Sequence, residues 1–305
     1  MSSSIPASGT ERVSAPGEIS ARGAAAARTP LERRRALLRL LRRHPTLVAG
    51  LACLVLITVS GLGAHLWGTT DPQALRPVIR LRPPSAEQWF GTDQYGRDIY
   101  SRTLYGGRVS LLVGATVGVA SLVLGISIGL VGGYYRRVDA VVMLVMDGLM
   151  AIPAILLALA LMALMRASVK NVIIALVIPE IPRVVRLVRA SVLSLREQTM
   201  VEGARAIGAR TPRILLRYIL PALVAPLIVQ GTYICASAIL FEAYLSFLGA
   251  GTPPIIPSWG NIMAEGRAYV QRAFWIILFP GAFLALTVLA VNLVGDGLRD
   301  LLKVR

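Results

Sequence analysis

Few side chains in this 305-residue chain have the types and spacing that support catalysis. The closest group lies in the segment GTDQYGRD, where Asp93 and Asp98 flank Arg97. Two neighbouring carboxyl groups can act as a general acid and a general base. No nucleophile or further base accompanies them, so we interpret this segment as a structural turn and predict no catalytic residue.

Metal and disulfide chemistry are also poorly supported. The two histidines, His44 and His65, lie at opposite ends of the first apolar run, and the two cysteines, Cys53 and Cys235, each lie inside an apolar run. Their spacing matches neither a zinc site nor a disulfide framework. The sequence therefore predicts no metal site and no cofactor.

Two acidic residues, Asp147 and Glu242, lie within apolar runs. Ionisable groups in a membrane are costly and usually face a partner or a cavity. For Asp147 we expect the inner membrane interface or an ion pair with an arginine such as Arg136 or Arg186, and for Glu242 an ion pair with an outer-loop arginine. The alternative for both is a position on a polar pathway.

The surrounding elements are apolar enough to cross a membrane. The chain is 55% hydrophobic with a mean hydropathy of +0.66, and its apolar runs match the roughly 20 residues that span a bilayer. Alternation with a period of two, typical of an outer-membrane barrel, is absent. The sequence predicts an all-α integral membrane protein with about six transmembrane helices, at residues 47–67, 109–133, 140–165, 171–194, 215–245 and 274–295.

Charge sets the predicted orientation. The net charge is +16, and the arginines cluster at the edges of apolar runs rather than on a separate basic face, which favours a membrane protein over a nucleic-acid binder. We predict cytoplasmic N- and C-termini, with residues 1–44 a disordered basic tail. A cleaved signal peptide is the alternative, but the first apolar run is long and further spans follow. The arginine-rich outer loop within 45–107 is an exception to the positive-inside rule.

The fourth predicted span is unusually polar. Pro179 and Pro182 interrupt it, and Arg183, Arg186 and Arg189 recur at every third position, which places them on one broad helix face. One interpretation is a helix whose lower half leaves the membrane, so that the arginines meet water or lipid phosphates. The other is a broken helix that lines a path, as in transporters.

A polar segment at 200–221 separates two apolar runs. Glu202 favours a helix start through the helix dipole, and Gly208 can supply the left-handed residue that ends this helix. Thr211 can then cap a second helix with Pro212 in its first turn, and Pro221 predicts a kink. We expect a short cytoplasmic helix across the ends of two spans, either a plain connection or a docking element for a partner.

This segment resembles the EAA loop of ABC importer permeases. The matching residues are Glu202, Gly203, Ala204, Gly208, Leu220 and Pro221, although Gly203 stands where alanine is usual. Further resemblance is carried by FGTDQYGRDIYSRTLYGGRVSLLVG (90–114), DGLMAIPAILLALALMA (147–163), ALVAPLIVQ (222–230), LSFLGAGTPPIIPSWGNIM (245–263) and VNLVGDGLRDLL (291–302). These segments are similar to the C-type permease of dipeptide, oligopeptide and nickel systems.

The resemblance implies a type I ABC importer permease fold in the bacterial inner membrane, with residues 108–297 as its core and 298–305 as a cytoplasmic terminus. It also implies a homologous second permease, two cytoplasmic ATP-binding subunits and an extracytoplasmic solute-binding protein. The GTDQYGRD and GTPPIIPSWGN segments are expected to contact the solute-binding protein. Alternatively, Trp259 in GTPPIIPSWGN lies at the membrane interface. The expected solute is a di- or oligopeptide. The alternatives are nickel or another solute carried by the same family, or an ion-coupled secondary transporter.

Overall fold

The computed structural model describes residues 45–303, so the basic tail predicted for 1–44 and the last two residues lie outside it. Within the described range the chain is helical and contains no β-strand. The α-helices of this range are α1 Pro45–Leu62, α2 Ile99–Tyr134, α3 Arg136–Met150, α4 Ala154–Leu164, α5 Val169–Leu195, α6 Thr199–Ala206, α7 Thr211–Ile214, α8 Leu220–Phe247, α9 Trp259–Gly266 and α10 Trp275–Lys303.

Four helical segments are long and apolar enough to cross a membrane, namely α1, α2, the continuous stretch Thr211–Phe247 and most of α10. A fifth crossing results if α3 and α4 are counted together. Helix α5 covers the fourth predicted span, but because of its charged residues it is not among the helices that are apolar enough to cross a membrane. The all-helical prediction is confirmed, whereas six spans and cytoplasmic termini stay predictions.

The predicted span 140–165 is not one continuous helix in the structure. It consists of α3 and α4, whose axes differ by 87°. The break falls at residues 151–153, where Pro153 has no backbone N–H to donate and also disfavours helical geometry at Ile152. The carbonyl of Pro153 then accepts the N–H groups of Leu156 and Leu157 at 2.9 and 3.0 Å, and a new helix starts there.

Helix α2 is the central element and starts ten residues earlier than its predicted span, 109–133. The Asp98 side chain caps it by accepting the Ser101 N–H at 2.8 Å. At 36 residues it is about 54 Å long at 1.5 Å per residue. Its flanks pack against α5 and α8, so one helix connects the two ends of the molecule.

The contact between α2 and α5 depends on glycines spaced four residues apart. A Cβ atom added at Gly129 or Gly133 would lie 2.8 or 2.9 Å from the Cβ of Val188 or Val192. Gly125 faces Val184 in the same way. Such small-residue stripes let two helices approach closely in a membrane, where packing drives association. The valine face of α5 is therefore fixed against α2.

The expected kink at Pro221 takes the form of a π-helical turn. Residues Leu215–Ile219 form this turn between α7 and α8. Proline cannot donate to the carbonyl four residues earlier, and a local π turn is a common way for a helix to continue past such a fault. The helix runs on to Phe247, so the part of the polar segment from Thr211 onward is continuous with a helix long and apolar enough to cross a membrane.

Candidate coupling segment and buried polar networks

The short helix predicted after α5 is present as α6, Thr199–Ala206. Its end has the hydrogen bonds of a Schellman motif, since Ala209 N–H donates to the Ala204 carbonyl at 3.0 Å and Gly208 N–H donates to Arg205 at 2.9 Å. Gly208 has φ of +80°, which confirms it as the left-handed residue. The helix therefore stops at a defined position before the chain turns into α7.

One face of α6 is anchored in the core. Val201 and Ala204 are buried within the main hydrophobic cluster. The Arg205 guanidinium lies 5.3 Å from the centre of the Tyr134 ring at the end of α2, a distance that allows a cation–π contact. The segment is thus attached to α2 as well as to the helices on either side of it in the chain.

The other face of α6 is open. Glu202, Gly203 and Gly208 are exposed, and a Cβ atom added at either glycine would meet no atom within 4 Å. Met200 and Ile207 are 53% and 81% exposed. This side of α6 is therefore not covered by other parts of residues 45–303.

Helix α7 begins differently from the prediction. Arg210 rather than Thr211 occupies the N-cap position, no side chain accepts a capping hydrogen bond there, and Pro212 lies in the first turn. Proline already fixes the required backbone angle and lacks one of the unpaired N–H groups, so the first turn forms without a side-chain cap.

An open groove of about 500 Å³ is lined by Gly208, Arg210 and Arg213, among others. Farther along the motif, Leu220 is half-buried and Pro221 is exposed.

Asp147 forms one of the ion pairs predicted for it. Its Oδ1 atom accepts a hydrogen bond from Arg186 Nη2 at 2.6 Å. Asp139, also on α3, pairs with Arg189. The arginine face of α5 thus contacts carboxylates of its own chain. The expectation of water or lipid phosphates did not include these contacts. Helix α5 also continues unbroken through its two prolines.

Glu242 does not pair with an outer-loop arginine, and that prediction is wrong. The side chain is fully buried and accepts hydrogen bonds from Ser110 Oγ at 3.2 Å and Ser246 Oγ at 2.9 Å. Thr252 contacts Ser246 and donates to Ser258, which caps α9. Hydroxyl groups on α2, α8 and the following loop therefore satisfy the carboxyl group without a cation.

The GTDQYGRD segment is clamped by a buried four-residue charge network. Arg102 Nη1 donates at 2.7 Å both to Asp93 and to Glu265 on α9, and its Nη2 donates to the second Glu265 oxygen at 3.2 Å. Arg97 contacts the same two carboxylates. Asp93 and Arg102 are almost fully buried. The interpretation as a structural turn is therefore supported by geometry, whereas a contact with a partner stays a prediction.

This network accounts for part of the charge exception in the predicted outer loop. Arg97 and Arg102 are neutralised by carboxylates. Arg108 donates to the carbonyls of Gly61 and Leu62 at 2.6 and 2.8 Å, at the end of α1. These arginines serve internal contacts, so counting them as free positive charges overstates the basic character of the loop.

Trp259 is buried rather than at the surface, which corrects its expected position at the membrane interface. Its Nε1 atom donates to the Thr103 carbonyl at 2.9 Å, and its ring contacts Gly107 on α2. The ring fixes α9 against α2 and so holds Glu265 at the charge network. Sequence reasoning missed Glu265 because it lies 163 positions from Arg102, and nothing in the local pattern marks the pair.

Comparison with known proteins now bears on this arrangement. The model of the family described as the binding-protein-dependent transport system inner membrane component matches residues 121–305. The chain belongs to this family. The match includes α6 and the arginine face of α5, and together with the apolar helices it establishes a multi-pass membrane permease component.

Curated relatives extend the similarity toward the N-terminus. A protein of Sinorhizobium fredii named "Probable peptide ABC transporter permease protein" is 48% identical over 267 residues, covering 88% of this chain and 91% of the relative. The dipeptide transport system permease protein DppC of Alkalihalophilus pseudofirmus is 40% identical over 263 residues, covering 86% of each. The oligopeptide permease protein OppC of Bacillus subtilis is 35% identical over 262 residues, again covering 86% of each.

Solved structures agree on the fold. A chain of the MetNI methionine ABC transporter, crystallised in inward-facing conformations, superposes with a TM-score of 0.56 at 20% identity, covering 66% of this permease and 94% of that chain. A second crystal form of the same transporter gives a TM-score of 0.56 at 19% identity. At this identity the similarity supports the permease fold alone.

Proposed function

We propose that this permease is a transmembrane subunit of an ATP-driven importer that moves di- or oligopeptides across the bacterial cytoplasmic membrane. The observation that carries the substrate class is the similarity over most of the chain to relatives named for peptide transport. Family membership also favours delivery by a solute-binding protein over the ion-coupled alternative. The working assembly would contain a homologous second permease and two ATP-binding subunits.

The coupling role is assigned to α6 and the residues around it. Glu202, Gly203 and Gly208 form the exposed side toward the ATP-binding subunit, while Ala204 holds the helix to the core. Leu220 and Pro221 lie where the segment continues into α8. A helix with small exposed residues allows close approach of a partner backbone, which a larger side chain would prevent.

The connections of α6 suggest how a push on it would spread. Only residues 196–198 separate it from α5, and 207–210 separate it from α7. Arg196 Nη1 also donates to the Gly133 carbonyl at 3.4 Å, at the end of α2. Closure of the ATP-binding subunits would therefore move the ends of α2, α5 and α8 together and change which side of the membrane the pathway faces.

Energy would come from the partner subunits. A P-loop requires Gly-Lys followed by Ser or Thr, because the lysine reaches the phosphates. The sequence has two lysines, Lys170 and Lys303, and neither follows a glycine. ATP hydrolysis by a P-loop in this chain is therefore not part of the proposal.

Reconstitution tests the proposal directly. The permease would be placed in proteoliposomes with its second permease and ATP-binding subunits, and uptake of a labelled dipeptide would be measured with and without ATP and the binding protein. We expect uptake only when both are present. Uptake that proceeds without ATP would reject the ABC mechanism, and ATP-dependent uptake of Ni²⁺ but not of peptides would reject the substrate class.

A further inference from the structure

The arginine face of α5 is charge-balanced from the middle of the helix to its coupling-side end. Arg183 Nη1 lies 3.3 Å from Glu180, Arg186 pairs with Asp147, and Arg189 pairs with Asp139. We call Arg183, Arg186 and Arg189 the arginine ladder. Each rung has a carboxylate partner in its own chain, so the ladder carries little net charge although it presents three guanidinium groups.

Arg183 and Arg186 lie on the side of α5 that faces away from α2. Val184, Val188 and Val192 are buried, and each packs against a glycine of α2. At 3.6 residues per turn, Arg183 and Arg186 point away from these valines, whereas Arg189 borders the α2 contact. A Cβ atom added at Gly133 would lie 3.2 Å from the Arg189 Cα atom. The arginine side chains are 35%, 44% and 30% exposed, so the ladder borders space that this chain does not fill.

Hydrocarbon in that space would be energetically costly. Arg183 and Glu180 lie near the middle of α5, and an arginine facing lipid at the bilayer centre costs about 2.5–3.5 kcal/mol or more. A dry interface with another subunit is also disfavoured, since it would desolvate three ion pairs that already have partners here and gain no new one. A water-filled path keeps the exposed parts of these groups hydrated.

Arg183 is oriented for a further ligand. Its guanidinium lies 5.8 Å from the centre of the Tyr233 ring on α8, and Nη1 makes its contact with Glu180. Within residues 45–303, Nε and Nη2 have no hydrogen-bond acceptor, and these atoms form one edge of the guanidinium fork. A carboxylate fits two parallel N–H groups of such an edge.

A pocket lies about one helical turn from Arg183, although no ladder arginine is among its lining residues. It has a volume of about 370 Å³ and lies between α5, α8 and the end of α10, with Leu187, Val229, Gln230 and Arg299 among its walls. Leu187 is one turn beyond Arg183, and Gln230 is one turn before Tyr233. Mostly apolar walls with a few polar groups are typical of small-molecule sites.

We propose that the arginine ladder lines the translocation pathway and that Arg183 binds the terminal carboxylate of a passing peptide. The inference rests on the proposed function for the identity of the solute. Because each arginine already shares a carboxylate, a peptide carboxylate is held weakly and can move from one rung to the next. Passage through a membrane pathway requires binding of this kind, favourable enough for entry and weak enough for release.

Water access to the ladder can be measured without any knowledge of the solute. In the assembled complex, with free Cys53 and Cys235 replaced by alanine, single cysteines at Arg183 and Arg186 would be treated with a charged, membrane-impermeant thiosulfonate. Val184→Cys and Val188→Cys are the matched controls on the opposite face. We expect the ladder positions to react at least about tenfold faster, a difference of about 1.4 kcal/mol in activation free energy. Equal reactivity on both faces would overturn the pathway assignment.

Carboxylate binding has its own measurement. Uptake of a dipeptide with a free C-terminus is compared with uptake of its C-terminal amide, for the unaltered complex and for Arg183→Gln. We expect the unaltered complex to prefer the free acid and Arg183→Gln to reduce this preference about tenfold, the contribution of one charge-assisted hydrogen bond. Arg196→Gln, at the end of the same helix, should leave the ratio unchanged.

The two measurements separate the possible failures. A purely structural role of Arg183 predicts equal loss of uptake for both peptides with an unchanged ratio, which would overturn the carboxylate site. A complex that labels at the ladder yet transports no peptide would reject the peptide function and the carboxylate assignment, while retaining the ladder as a path for another solute. Peptide transport without ladder labelling would reject the inference and leave the proposed function standing.

Discussion

The two ends of α2 are built in opposite ways. At its N-terminal end, Asp93, Arg97, Arg102 and Glu265 form a buried network in which charges balance within the chain. At its C-terminal end, Tyr134 contacts a short helix whose outer face is open to solvent. About 54 Å of helix separates them, at 1.5 Å per residue.

The difference indicates which contacts each end needs. The N-terminal end obtains its hydrogen bonds and ion pairs from its own chain, and Trp259 and Trp275 seal it by donating to backbone carbonyls. At the C-terminal end of α2, the adjacent segment around α6 leaves Met200 and Ile207 exposed. We infer that the first end sets the shape of the permease by itself, whereas the second is completed by another subunit.

The largest expected effect is at the N-terminal end of α2, where the charge network lies. Arg102→Leu would leave Asp93 and Glu265 with Arg97 as their remaining cation in the network, and removing one partner of a buried ion pair costs about 3–5 kcal/mol. We expect a clearly lower midpoint of thermal unfolding in detergent, with the folded fraction at each temperature measured by size-exclusion chromatography. Arg210→Leu, an exposed arginine at the coupling end, is the matched control and should unfold like the unaltered protein. Equal midpoints for both variants would contradict the contrast between the ends.

A pair of substitutions one position apart tests the two faces of α6. Ala204→Trp forces a large ring into a buried position, and overpacking of this kind costs about 1–3 kcal/mol. We expect a lower unfolding midpoint together with loss of ATP-dependent uptake. Gly203→Trp, where no atom lies within 4 Å of the added Cβ, should keep the midpoint but weaken binding of the ATP-binding subunit. A normal subunit affinity for Gly203→Trp would remove Gly203 from the docking surface.

A smaller effect is expected at Gly208. Its φ of +80° would strain a β-branched residue by about 1–3 kcal/mol, so Gly208→Val should disturb the end of α6 while the membrane helices still insert. We expect ATP hydrolysis to continue with reduced peptide uptake, or the ATP-binding subunits to detach. Gly208→Asn is the control, because asparagine tolerates the left-handed region. Full uptake by Gly208→Val would argue against the coupling role.

The sequence predicted helix α6, beside the C-terminal end of α2, better than it predicted the charge network at the N-terminal end of α2. A helix start near Glu202 and a stop at Gly208 depend on local rules of dipole and backbone angle, so neighbouring residues suffice to anticipate them. The pairing of Arg102 with Glu265 and the hydroxyl shell of Glu242 depend on helices that are distant in the chain. Local patterns carry no information about such contacts.

Hydropathy had a similar limit in the membrane region. It located the apolar runs but treated residues 140–165 as one span, although Pro153 divides them into helices that differ by 87°. The pair of Asp147 with Arg186 was among those expected from the sequence, whereas the pairing of Arg189 with Asp139 on α3 was not. The glycine spacing at 125, 129 and 133 was visible in the sequence and could have predicted the close contact of α2 with α5.

The smallest expected effect comes from a substitution at Gly203 that adds a single methyl group and removes no contact. The resemblance to the EAA loop leads us to expect alanine at Gly203, and an added methyl group meets no atom of residues 45–303 within 4 Å. Alanine should stabilise α6 by about 0.5–1 kcal/mol because glycine loses more backbone entropy in a helix. We expect Gly203→Ala to slow amide hydrogen exchange in α6, with peptide uptake unchanged and no change in exchange at the Arg102 network. If uptake fell although α6 became more protected, the partner surface would require glycine itself at this position, and the open end would be more closely fitted than its exposure suggests.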